Sequence, residues 1–129
     1  MPANLEPIFP ITGVIGVAKI STANTNRDGT GTIVDLVTGG TNGTIIYKIR
    51  VKSEVTTTAG MVRIFYYDGT TWELFYEFAV TAITVAASTK SWQDEFVFDV
   101  PFVIPSAKKL GAAPHNAEAF NVFAIGGDY

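Results

Sequence analysis

The chain has 129 residues, enough for one domain that buries roughly two-thirds of its unfolded surface and too few for two. Hydrophobic residues make up 47% and charged residues 16%, against roughly 25% charged in an average soluble domain, and the formal net charge is −3. This balance excludes the basic field that direct nucleic-acid binding needs, the absence of cysteine excludes disulfides and thiolate metal sites, and no apolar run approaches the roughly 18 residues of a membrane-spanning helix.

The first segment carries Pro2, Pro7 and Pro10 with Leu5, Ile8, Phe9 and Ile11 between them. Proline fixes φ and removes a donor, so residues 1–12 read as an extended apolar arm that ladders poorly and either lies across its own sandwich or reaches a neighbouring subunit. Leu5, Ile8, Phe9 and Ile11 are therefore the candidate interface. Neither a basic n-region nor an apolar h-region precedes it, so Sec export is not expected, and a chain without cysteine suits a reducing cytosol.

From residue 13 onward apolar residues recur with period 2, the signature of strands whose successive side chains point to opposite faces. Strands are expected at Gly13 to Ile20, Gly31 to Val37, Thr44 to Lys52, Met61 to Tyr67, Thr71 to Phe78, Ser91 to Ile104, Lys109 to Ala113 and Phe120 to Ile125. In the third, Ile45, Tyr47, Ile49 and Val51 share one face, and Ile46, Lys48, Arg50 and Lys52 share a wetter one. Asp68-Gly69 predicts a tight hairpin between the fourth and fifth, with Trp72, Leu74, Tyr76 and Phe78 on a single face. In the sixth, Trp92, Asp94, Phe96, Phe98, Val100 and Phe102 alternate with Glu95, Val97, Asp99 and Pro101, and the proline marks an edge or a bulge. Residues 81–90 are small and polar and read as a crossing between sheets. Turn chemistry stands at Asn26 to Gly29, Gly39 to Gly43, Asp68-Gly69 and Gly126-Gly127. No amphipathic helix and no internal repeat is visible. The pattern predicts an all-β fold, a single antiparallel β-sandwich over residues 13–129 and a jelly roll of about eight strands.

Reactive groups are few. Asn24, Asn26 and Asp28, with Asp35 further on, echo a calcium loop, but the echo lacks the first Asp, the closing Glu and the flanking helices, so an Asx-rich turn is the better reading. His115, the only histidine, has Glu118 three residues on, yet no second ligand or nucleophile pattern accompanies it. Asp94, Glu95 and Asp99 supply carboxylates, but adjacent strand residues face opposite ways and do not cooperate as a glycosidase pair. Asn42-Gly43-Thr44 is a glycosylation sequon with no export signal to give it meaning. Trp72 and Trp92 would serve a sugar-stacking platform only if exposed on a flat face. No enzyme, cofactor or metal is expected.

Four runs carry a resemblance: Ile15 to Ser21, Asn24 to Thr32, Thr57 to Phe65 and His115 to Val122. Together they resemble small β-sandwich virion proteins of tailed bacteriophages, among which the capsid decoration, or cement, proteins are the best characterised. The likeness spans residue 13 to the end and rests on turn and strand signatures, so it implies a role and no functional residue. It implies attachment to the major capsid protein on the outer capsid surface, synthesis in the host cytoplasm, no membrane or direct nucleic-acid contact, and a homo-oligomer, commonly a trimer. A tail or baseplate component is the near alternative, and a carbohydrate-binding module the alternative from another class.

Overall fold

The computed structural model describes residues 9–129, so Leu5 and Ile8 lie outside the described residues. Eight strands follow in chain order: β1 Thr12–Ile20, β2 Val34–Thr38, β3 Thr44–Ser53, β4 Gly60–Tyr67, β5 Trp72–Val80, β6 Gln93–Ile104, β7 Lys109–Pro114 and β8 Phe120–Asp128. They form two four-stranded sheets, β1-β8-β3-β6 and β2-β7-β4-β5, with every pairing antiparallel. This is the strand order of a jelly roll, in which the chain crosses between sheets at every connection except the β4–β5 hairpin and folds as nested hairpins. No helix occurs among the described residues.

The inner faces interdigitate as the alternation requires. Ile20, Ile46, Ile49, Val51, Val122 and Ala124 from the first sheet meet Val62, Ile64, Phe78, Leu110 and Ala112 from the second. Trp92 closes one end of this core edge-on against Phe120, with ring centroids 5.8 Å apart. The 81–90 crossing joins β5 to β6 between the sheets, pinned by an isolated bridge from Thr57 to Ile83.

Three corrections to the sequence reading share one cause. In β3 the register slips between Ile46 and Lys48, so Tyr47 is an inserted residue that changes the phase of the strand. Ile46 faces the core with Ile49 and Val51, while Ile45 and Tyr47 lie on the outer side with Lys48, Arg50 and Lys52. In β5 the bulge at Phe75 sets Trp72 and Leu74 opposite Tyr67 and Phe65 on the outer face, and turns Tyr76 and Phe78 inward opposite Ile64 and Val62. In β6 the register advances by five residues while β3 advances by two, which throws Val100 out to solvent next to Pro101. A bulge inserts a residue without changing composition, so a period-2 reading runs straight through it.

Gly126-Gly127 is likewise strand, not turn. Both lie inside β8, and a Cβ on Gly126 would come within 1.8 Å of Ile45 O, where the bulged β3 presses onto its neighbour. The Asp68-Gly69 hairpin forms as expected. Gly69 has φ of 101°, Thr71 O accepts the Asp68 N–H, and Asp68 Oδ1 accepts the N–H groups of Thr70 and Thr71. Below the turn, the hydrogen bond shared with Glu73 holds the Asp68 carboxyl well below the usual range and pushes Glu73 up.

Candidate interaction surfaces

The two outer faces of the sandwich are treated differently. That of the second sheet is covered by the chain between β1 and β2. Asn24 organises this segment: its Oδ1 accepts Asn26 N–H, and its Nδ2 donates to Thr30 O at 3.0 Å and Thr32 O at 3.1 Å. Asp28 Oδ1 accepts from both the N–H and the hydroxyl of Thr30, which lowers its pKa. Gly29, with φ of 88°, lies against the backbone of Trp72, and Ile33 covers Gly111 beside the Trp72 ring.

Beneath that segment sits Arg63, the largest fully buried side chain. Its Nε donates to Glu77 Oε2 at 3.1 Å, and its Nη1 donates to Asn24 O and His115 Nδ1, each at 3.3 Å. Guanidinium only donates, so His115 accepts on Nδ1 and carries its proton on Nε2. Glu77 Oε2 also accepts from Arg27 Nε at 3.0 Å, tying the covering segment to β5. Partial burial pushes the Glu77 carboxyl up, but the hydrogen bonds from Arg27 and Arg63 outweigh it and hold it below its ordinary value.

The candidate cation ligands are therefore not brought together as a calcium loop. Asn24 spends its side chain on loop geometry, and Asp35 lies in β2 with Lys109 Nζ 3.0 Å away. Among the described residues no group of three or more acidic or histidine side chains converges as a metal site. The tryptophans do not form a flat exposed platform: Trp92 is buried in the core, and Trp72 is half-buried against Tyr67 with Lys109 Nζ above both rings. Glu95 is held by Arg50 and, at longer range, by Lys48, while Asp94 caps the Glu95 N–H. A shallow depression at Arg50, Gln93, Asp94 and Glu95 is lined entirely by these polar groups.

On the outer face of the first sheet, Pro10 lies against Gly127 of β8, and among the described residues no segment longer than that covers it. Register aligns its side chains in rows across β1, β8, β3 and β6. One end is polar, with Lys19, Asn121, Lys52 and Gln93 abreast. The next row is Val17, Phe123, Arg50 and Glu95, followed by Ile15, Ile125, Lys48 and Val97. Ile15 is 66% exposed and Val17 50%, with Tyr47, Val97 and Val103 also open to solvent. Of the predicted interface residues that are described, Phe9 is 75% and Ile11 85% exposed, and Ile11 N–H donates to Asp128 O beside the start of β1. Sequence reading placed the candidate interface on the arm alone and did not single out the exposed Ile15 and Val17 of β1. Their signal was the apolar character of both alternating sets in Val14 to Val17. Scans against known protein families and curated proteins found no match.

Proposed function

We propose that this chain is a structural protein of a tailed-phage virion, of the capsid decoration type, and that it attaches to the outside of the shell through the outer face of the β1-β8-β3-β6 sheet. The supporting observation is the asymmetry between the two outer faces. One is sealed by the chain between β1 and β2 with a buried Arg63 beneath it, while among the described residues nothing comparable lies over Ile11, Ile15 and Val17 on the other. Monomeric proteins rarely leave such a band without a partner. The resemblance of the chain to phage β-sandwich proteins supports the choice of partner, the major capsid protein, and a cargo-free role agrees with a lone His115 committed to Arg63.

The apolar half of the face supplies contact area, and the Lys48, Arg50 and Glu95 group beside it supplies direction. Repetition over a shell multiplies a modest affinity per copy into durable attachment. The test is co-sedimentation with phage heads assembled without the chain. Saturable binding to heads, lost on Ile15→Asp with Ile125→Asp in a variant that still unfolds cooperatively, is the expected result. Binding to isolated tails and not to heads would move the protein to the tail or baseplate, and binding to neither would overturn the proposal.

A further inference from the structure

Every open sheet has two edges, and an unprotected edge is a template for another strand. Three of the four edges in this sandwich are blunted. Strand β6 has Pro101, the multi-residue bulge and Asp94, which stands opposite inward-facing Val51. Strand β5 has the Phe75 bulge and the charges of Glu73 and Glu77, and β2 is five residues long with a bulge between Asp35 and Val37. Strand β1 has none of these devices. It runs nine residues in unbroken register with β8, contains no proline, and bears one charge, Lys19, near its end.

The hydrogen-bonding phase of that edge follows from its neighbours. Tyr129 N–H donates to Gly43 O and Glu54 N–H to Ala119 O, so odd-numbered residues of β8 bond β3 and even-numbered ones bond β1. By the register of β1 with β8, residues 12, 14, 16, 18 and 20 are satisfied internally. Gly13, Ile15, Val17 and Lys19 therefore direct their N–H and C=O groups away from the sheet.

We infer that β1 pairs with β1 of a second copy of this chain, antiparallel, about a two-fold axis at Gly16. In that register Ile15 stands opposite Val17 of the other copy and Gly13 opposite its Lys19, so all four outward residues find hydrogen-bonding partners. The side-chain pairs complement one another as well. Two β-branched residues meet on each side of the axis, each lysine lies over a glycine, and no like charges face each other. Lys19 keeps its contact with Glu54, 3.1 Å away on its own copy. The contact closes on itself, because pairing consumes the one edge left unguarded among the described residues and leaves the blunted β6 at both ends of an eight-stranded sheet. A second copy fits better than an unrelated strand because the register is self-complementary. The inference is independent of attachment to a capsid, and it departs from the trimer that the resemblance implies.

The experiment is light scattering of the full chain across a concentration series, with amide hydrogen exchange at β1. The expected result is a species of twice 13.9 kDa in which the Ile15 and Val17 amides, which a single copy leaves to solvent, exchange slowly. Val17→Pro removes an outward donor and no internal one, so it weakens self-association at least about 100-fold while β8 pairing survives. If that variant does not unfold cooperatively, Ile15→Lys with Val17→Lys replaces it, placing ammonium groups opposite one another across the axis with the same expected loss. A monomer at all concentrations, a trimer, or an oligomer whose Ile15 and Val17 amides exchange freely would each overturn the inference.

Discussion

Replacing Glu77 by Gln removes one charge and almost no volume, and it isolates what holds Arg63 under its loop. The Arg63 side chain is 1% exposed, and Glu77 Oε2 at 3.1 Å is the anionic partner it meets. After Glu77→Gln the guanidinium keeps the Asn24 carbonyl and His115 Nδ1, both neutral acceptors at 3.3 Å. Breaking a buried pair from one side costs about 3–5 kcal/mol because the remaining charge stays desolvated. Glu77 retains 29% side-chain exposure, so water screens part of the attraction and the expected loss is about 3 kcal/mol. Arg63→Met removes the buried charge itself and leaves Glu77 with Arg27 and solvent, at a cost of about 1 kcal/mol. The double variant should then resemble Arg63→Met alone, giving a coupling of about 3 kcal/mol. Urea unfolding followed by tryptophan fluorescence, with an unchanged m-value, measures all four corners of the cycle. A loss below about 1 kcal/mol for Glu77→Gln, or a double variant as unstable as the sum of the singles, would refute the claim that this pair holds the buried guanidinium.

The same pair sets a pH dependence. The folded pKa of Glu77 lies below its ordinary value of 4.5, so its contribution is fully present above the unfolded pKa and is lost as pH falls through the folded one. Stability should decline on acidification below about pH 4.5, and Glu77→Gln should flatten that part of a urea-midpoint series against pH. Asn24→Ala removes the donor to Thr30 and Thr32 carbonyls and should cost about 2 kcal/mol, with faster amide exchange confined to residues 21–33. Gly126→Ala sets a methyl 1.8 Å from Ile45 O, a backbone atom that cannot swing away, and should destabilise by about 3 kcal/mol or more in thermal unfolding.

The sandwich was legible because its information is local. Alternation in Gly13 to Ile20 and Thr44 to Lys52, and the Asp68-Gly69 dipeptide, follow from backbone sterics and from the need of each strand to bury one face, so strand number, hairpin and all-β class follow from residues close together in the chain. The bulges at Tyr47, Phe75 and β6 were not legible, because an inserted residue is set by how one sheet bends over the other. Arg63 and Glu77 are 14 residues apart, and no local pattern marks either for burial; the 21–33 segment laid over them buries the Arg63 guanidinium. The apolar residues of β1 and β8 are separated by about a hundred positions, and their joining into one open band is a matter of strand order. Composition thus carried the expectation that this chain packs rather than reacts, while tertiary structure decided which of two sheet faces is covered by the chain between β1 and β2 and which, among the described residues, has no such segment over it, because burial depends on what the fold brings across a surface and not on the residues of that surface alone.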